Sequence, residues 1–545
     1  MASTQRGRAG LLALAVLALA MALRAPVASL PFERDEGEYA YTAQRWLAGD
    51  VPYRDVFDQK PPAVFAFYAA AFAIGGESPA AVRFAGQVWA AIGLGALALL
   101  GARLFSPAVG IAAALIGLVL GSDPSWLGNA VNTEQIAATP LALAALLAVS
   151  LRGRDRLALS LAVGALGGIA LLAKPVTAPI VAFEIATALA LAQRRIAHAV
   201  AAALGVLAVL VPTWLWFAAH DAGAAFLDAV VWNNLAYAGE TKLAEYPTYF
   251  ALQFRPTLVP LGPLYAAALA APLAWRGADA AARRRIAWVA AWLGVSLVAV
   301  AAGGYFRQHY FALAMPPLAL LAALGLASLA PSLAAALTAL GLAAPARALG
   351  VARPSVAPLA ALAVLAWSVG VGWWYYGPAT AESKLHRIYG SNPFPEAPAL
   401  GAWIASRSAP EDRVFIYGSE PQLLFYARRA SASRYMFVYP LNMPLPAAAE
   451  RQRETLAEID AAQPRFVVGV FVRTSLLVQP GTPPELARGL RERVERDYEV
   501  AAVVPFAADR HAKILEGKPA RAMWNERPLW DGATPWAAYV VWQRR

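Results

Sequence analysis

The sequence predicts an α-helical polytopic membrane protein of about eleven transmembrane helices, followed by a soluble α/β domain. Two observations predict the membrane part. The 545 residues are 59% hydrophobic and only 15% charged, where soluble proteins average about 25% charged, and mean hydropathy is +0.49. Apolar runs such as Leu11–Leu30, Gly86–Leu104, Ile196–Ala219 and Val356–Trp374 are each long enough to cross a ~30 Å hydrocarbon core as a helix. The third observation is a change of composition near Gly377, after which short β-branched and aromatic runs alternate with polar, helix-like stretches.

Taken in order, spans are expected near 10–30, 82–104, 107–121, 135–151, 157–173, 176–192, 196–219, 256–274, 286–303, 309–330 and 355–376. The first reads as a transmembrane helix because its apolar core exceeds the about 7–15 residues of a signal peptide. Residues 331–345, "APSLAAALTALGLAA", are ambiguous between a further span and an inner segment. Beyond Gly377, "RVFIYG", "RYMFVYP", "RFVVGVFV", "EVAAVVPF" and "WAAYVVWQ" read as strands, and "AAAERQRETLAEIDAA" and "PPELARGLRERVERDY" as helices between them. Alternation of this kind predicts a small α/β unit. The expected division is 1–377 for the membrane part, with an outer loop at 31–80, and 378–545 for the soluble part.

Charge placement gives the orientation. With Met1 inside, fourteen Lys and Arg fall on the N-terminus and the short inner connections: 6, 8, 103, 152, 154, 156, 194, 195, 276, 283, 284, 285, 347 and 353. This is the positive-inside pattern. The formal charge of +11 is thus accounted for by orientation and lipid contact, and no nucleic-acid partner is expected. Of the seventeen Asp and Glu before residue 378, fourteen lie in outer segments or at their edges. Orientation does not require acids outside, so chemistry on the outer face is the expectation. No cysteine occurs, which excludes thiol catalysis, disulfides and Cys-based zinc sites.

Four segments carry the candidate chemistry. "RDEGEYAYTAQRWLAGDVPYRDVFDQKPP" holds most of the seven acidic residues between Glu33 and Asp58. Glu38, Tyr41, Arg45 and Trp46 recur at helical spacing and Gly49 ends that helix. A second helix resumes with Pro61 and Pro62 in its first turn, where proline is tolerated. Asp35 and Glu36 follow a span directly, where ionisable groups tend to face a cavity. The plain alternative is a solvated loop capped by Asp. "GSDPSWLGNAVNTEQIAATP" offers Asp123, Asn132 and Glu134, which helix capping also explains. "LLAKPVTAP" offers Lys174, either snorkelling to the interface or binding phosphate. "GGYFRQHYFALAMPP" offers Arg307 and His309 as a phosphate clamp. Carboxylates can deprotonate a hydroxyl or hold a divalent ion, cations can neutralise a departing phosphate, and Tyr can line a sugar pocket. Residue types alone leave a proton-coupled transporter open.

The acidic segment resembles the first outer loop of bacterial GT-C glycosyltransferases of the protein mannosyltransferase and aminoarabinose transferase superfamily, the glycosyltransferase family 39/83-like enzymes. Asp35–Glu36 and Lys60–Pro61–Pro62 carry the likeness, "NTEQIAATP", "LLAKPVTAP" and "FRQHYFALAMPP" follow in the family's order, and the resemblance covers about residues 10–330. Gln59 stands where aminoarabinose transferases have Glu, and Glu134 where Asp is frequent. Both departures count against a metal role at those positions and against aminoarabinose as the sugar. The resemblance implies an inverting transfer from a polyprenyl-phosphate sugar to a hydroxyl of an envelope lipid, glycan or protein. It also implies the bacterial inner membrane, with the N-terminus cytoplasmic and the C-terminal domain periplasmic. Asp35, Glu36 and Glu134 are then the candidate catalytic residues, and Lys60, Lys174, Arg307 and His309 the phosphate ligands. Tyr39 and Tyr41 would line the sugar pocket. A divalent cation is a candidate cofactor, with Asp35, Glu36, Asp58 and Glu134 as candidate ligands, and no nucleotide cofactor is expected. The rivals are a lipid-sugar flippase or secondary transporter, whose ionisable groups would lie near the bilayer midplane, and a non-catalytic scaffold.

Overall fold

The computed structural model describes residues 15, 18–152, 155–238, 241–339, 356–444, 447–506, 513–530 and 536–545. Among the described residues, six helical stretches are long and apolar enough to cross a membrane: Pro79–Leu104, Thr133–Ser150, Arg195–Ala219, Leu243–Trp275, Ala280–Ala301 and Gln308–Ser332. Shorter apolar helices lie at Ala18–Val27, Pro107–Ser122, Leu157–Ala173, Pro175–Leu191 and Ala357–Val371. The eleven expected segments therefore each fall on an apolar helix, six at full spanning length, and the protein is a multi-pass membrane protein. The last long helix runs through Pro331 to Ala339. The remainder of the ambiguous 331–345 stretch lies outside the described residues, as do Arg6, Arg8, Arg154, Arg347 and Arg353.

Helices α1 (Arg34–Leu47) and α2 (Ala63–Gly75) form the acidic loop. α1 begins where the Glu33 carboxylate accepts the Glu36 backbone N–H. It ends before Gly49, whose φ of 104° suits glycine alone. α2 begins only after both prolines expected in its first turn, with Pro62 as the residue preceding the helix. α3 (Pro79–Leu104), α4 (Pro107–Ser122), α5 (Thr133–Ser150) and α6 (Leu157–Ala173) follow. Each of α3 and α4 is opened by a serine whose hydroxyl accepts a backbone N–H of the first turn, with proline next in sequence.

The C-terminal part contains a five-stranded sheet in the order β1-β2-β5-β3-β4. The strands are β1 (Val414–Tyr417), β2 (Phe466–Gly469), β3 (Tyr498–Pro505), β4 (Leu515–Glu516) and β5 (Ala537–Arg544). β1 and β2 are parallel, in register Val414 to Phe466, and the remaining pairs are antiparallel. The parallel pair is joined across a helix, Ala448–Ala462, as parallel strands require. Four of the five expected strands are present. "RYMFVYP" is not one: it carries aromatic and β-branched residues because it packs on the acidic loop. Phe57 meets Tyr435 at 5.1 Å between ring centroids and donates its backbone N–H to the Arg434 carbonyl.

This contact belongs to a broad seat. The helix Gln422–Ala427 packs so closely on α1 that a Cβ at Gly37 would lie 2.6 Å from the Gln422 Cβ. The glycine of "DEGE" is thereby explained by the close approach of a segment almost 400 residues away in sequence. Phe32 donates its backbone N–H to the Tyr426 hydroxyl (2.9 Å), and Ser431 donates its own to the Tyr41 hydroxyl (2.7 Å).

Candidate active site

One cavity of about 390 Å³ lies between the acidic loop, the ends of the neighbouring helices and the C-terminal part. Asp35, Glu38, Lys60, Lys174, Arg307 and His309 all line it.

Asp35 and Glu36 are adjacent in the first turn of α1, about 100° apart around the helix, and they face different partners. Asp35 looks into the cavity with 27% of its side chain exposed, its Oδ2 3.9 Å from His309 Nε2. Glu36 is fully buried and turned away. Arg83 of α3 donates to it at 2.6 and 3.3 Å, and the Val131 N–H, just before α5, donates at 3.1 Å. Arg83 also donates to the carbonyls of Val27, Ala28 and Leu30. The pair fastens the chain leaving the first apolar helix to α3 and to the entry of α5.

Glu38, one turn after Asp35, receives Lys60 Nζ at 3.0 Å. Lys60 is held at both ends of its backbone: its N–H donates to Asp58 (2.9 Å) and its carbonyl accepts the Tyr53 hydroxyl (2.8 Å). Its ammonium also lies 5.5 Å from the centre of the Tyr39 ring. Gln59 accepts from Asn233 through its side chain and from Asn234 through its backbone.

Opposite them, Lys174 occupies an extended residue between two helices. Its Nζ is 2.6 Å from Glu134 Oε1 and 4.3 Å from the centre of the Tyr310 ring. His309 Nε2 is 3.9 Å from both Asp35 and Glu134. The result is a polar chain, Asp35–His309–Glu134–Lys174, in which Glu134 sits buried behind the cavity wall. Arg307 stands at the same wall beside Tyr305.

The electrostatics sort the carboxylates outside the spanning helices. Burial pushes Asp35 up, but Lys60, His309, Arg34 and Lys174 outweigh it and hold its carboxyl below the ordinary value. Burial pushes Glu38 up to about 8, with Asp58 and Asp35 adding to the effect against Lys60. Asp58 rises to about 6, again chiefly through burial. Burial opposes the charge on Lys60, yet Glu38, Tyr39, Asp35 and Asp58 together raise it well above its usual value. At neutral pH the cavity thus presents an ionised Asp35 facing protonated Lys60.

Asp35, Glu36, Asp58 and Glu134 do not fit a common divalent ion. A hard cation gathers several oxygens at one point. Here Glu36 is bound by Arg83, Glu134 by Lys174, and one oxygen of Asp58 by the Lys60 N–H. Among the described residues, the one set of three or more His, Asp and Glu ligand atoms lying within 4.8 Å of each other is Glu382, His386 and Glu396.

Neither Tyr39 nor Tyr41 lines the cavity. Tyr39 is buried beneath Lys60 against Phe65 and Tyr68, and Tyr41 belongs to the seat of the C-terminal part. Sequence reasoning missed Arg83, although a lone arginine in an apolar helix was a usable signal. It also missed Arg34, which donates to the Ser419 carbonyl (2.5 Å) and to Asn392 (3.1 Å), and pairs with Glu420 at 2.7 Å. The rim residues Tyr389, Asn392, Phe394, Phe437, Tyr439 and Thr474 carry no motif that could have singled them out.

Residues 59–216 match the family model described as dolichyl-phosphate-mannose-protein mannosyltransferase. The chain is similar to crystal structures of ArnT from Cupriavidus metallidurans. For the apo state, identity is 16% and the TM-score 0.55, covering 99% of this chain and 98% of that one. For the state bound to undecaprenyl phosphate, identity is 17% and the TM-score 0.54, covering 86% and 94%. No curated protein sequence matches. The chain shares the fold of these structures, the GT-C architecture that its motifs led us to expect.

Proposed function

We propose that this chain of GT-C fold is an inverting glycosyltransferase that moves a sugar from a polyprenyl-phosphate donor to an envelope hydroxyl at the outer face of the bacterial inner membrane. The carrying observation is one cavity in which an ionised, accessible Asp35 faces Lys60, Lys174, Arg307 and His309. A group that takes up a proton and groups that neutralise a leaving phosphate are what this transfer needs. The structure of ArnT bound to undecaprenyl phosphate supports a lipid phosphate as the anion.

In this reading the donor phosphate enters between Lys60, Lys174 and Arg307. The acceptor hydroxyl attacks the anomeric carbon from the side opposite the phosphate. The bond from the anomeric carbon to the phosphate oxygen breaks, polyprenyl phosphate leaves, and the hydroxyl proton passes to Asp35. With its cations unshared, Asp35 is a weak base. A bound phosphate diverts the fields of Lys60 and Lys174, so the carboxylate gains proton affinity when the donor is in place. Glu134 orients Lys174 and His309. Glu36 and Tyr41 hold the framework, and Tyr39 supports Lys60. The division at about residue 377 separates the membrane part from a periplasmic part that roofs the cavity and meets the acceptor.

The test is transfer of labelled sugar in proteoliposomes, with polyprenyl-phosphate sugars as donors and envelope extract as acceptor. Wild type transfers and Asp35→Asn, equally folded, loses at least about 100-fold. Equal transfer by both removes Asp35 from the chemistry. Absence of transfer with every donor tried refutes the reading.

A further inference from the structure

Away from the catalytic cavity, the helix Ala381–Tyr389 and the start of the helix Ala397–Ala405 bring together a second group of polar side chains. Glu382 and His386 lie one turn apart on one face of the first helix, and Glu396 is the residue before the second. Their ligand atoms lie within 4.8 Å of one another. His386 Nε2 is 3.4 Å from Glu396 Oε1. The other ring nitrogen, Nδ1, is 2.9 Å from the Gly390 carbonyl. With the ring neutral and its proton on Nδ1, donated to that carbonyl, Nε2 would offer its lone pair to a metal in place of its contact with Glu396, the arrangement by which metal-binding histidines are usually fixed. Glu396 is 92% buried, from a relative exposure of 8%, and its Oε2 has no hydrogen-bond partner. A buried carboxylate oxygen left without a partner is costly, and a cation would satisfy it.

We propose that Glu382, His386 and Glu396 form a binding site for a divalent ion of the zinc class. One imidazole and two carboxylates match the ligand preference of zinc, and a fourth position remains for water. The two carboxylates carry a charge equal and opposite to that of the ion. The site closes the segment 389–395 into a loop, and Tyr389, Asn392 and Phe394 of that loop line the catalytic cavity. Asn392, in that loop, accepts from Arg34 and from Thr474, which reach it from two other parts of the chain. The ion is therefore a brace for the cavity rim, and its binding is independent of what reaction the cavity performs.

The experiment uses the full chain without a histidine tag, purified in detergent, stripped with a chelator and titrated with zinc sulfate. Wild type is expected to bind one zinc per chain with micromolar affinity or better, by calorimetry and elemental analysis, and to gain thermal stability on binding. His386→Ala and Glu396→Gln are expected to weaken binding at least about tenfold. His386→Gln, which keeps size and polarity, serves as a second variant should His386→Ala misfold. Absence of zinc binding by wild type overturns the proposal. So does binding that both variants retain, including the case where they lose stability only through the His386–Glu396 ion pair.

Discussion

Replacing Arg83 by methionine isolates the fastening of Glu36. The wild-type pair is almost wholly enclosed, with side-chain exposures of 4% and 0%. Methionine keeps the apolar stem and removes both bonds to Glu36, together with those to the Val27, Ala28 and Leu30 carbonyls. Glu36 is left as a buried carboxylate with the Val131 N–H as its remaining neutralising contact among those described. Breaking a buried pair from one side costs about 3–5 kcal/mol, so Arg83→Met should unfold at a clearly lower temperature or denaturant concentration in detergent. Adding Glu36→Gln removes the stranded charge while keeping an acceptor for Val131, and should recover about 1 kcal/mol or more. Unfolding midpoints of wild type, both single variants and the double variant complete the cycle, with sugar transfer measured alongside. If Glu36→Gln abolishes transfer while stability and the Arg83→Met penalty stay near wild type, Glu36 acts in the chemistry and the assignment to the framework is wrong.

Lys60→Met strands Glu38 and removes a proposed phosphate ligand, so kcat/KM for the donor should fall by at least about 100-fold; a fall under threefold would place the phosphate elsewhere. Tyr41→Phe leaves the Ser431 N–H without its acceptor, at about 1–3 kcal/mol, and should make the C-terminal part easier to cleave by protease with the KM for donor unchanged. The pH dependence of stability carries a third expectation. Glu38 is raised from 4.5 to about 8 on folding, so its contribution is fully present below about 4.5 and is lost as pH rises through about 8. Glu38→Gln should flatten the stability profile across that window, and an unchanged profile would mean that Lys60 fully compensates the ionised carboxylate. Asp35, held low, has the opposite sign: its contribution is present above its ordinary value and is lost as acid protonates it in the folded state.

The helical framework was legible because lipid imposes a long apolar run on every span. The acidic loop stood out because charged residues beside such runs are costly unless used. Asp35, Lys60, Lys174, Arg307 and His309 could be read individually, and the fold brings them to one cavity. The distinction between Asp35 and Glu36 could not be read. Neighbours on a helix diverge, and the outcome was decided by Arg83, 47 residues away. The strand expected at "RYMFVYP" failed for a related reason: aromatic and β-branched residues announce burial, and here the burying surface is another part of the chain. The rim contributed by the C-terminal part has no periodicity and no spacing rule, so only the assembled molecule reveals it.

Arg34 reaches into the C-terminal part, and Asp35 is the next residue in the chain. Arg34, which ties down the C-terminal part, and Asp35, the proposed base, are therefore separated by a single peptide bond. Exchanging the C-terminal part for that of a relative cannot be treated as swapping a detachable module. A graft that omits equivalents of Asn392, Ser419 and Glu420 would release Arg34, and with it the first turn that aims Asp35. A change on either side of this contact therefore bears directly on the other side.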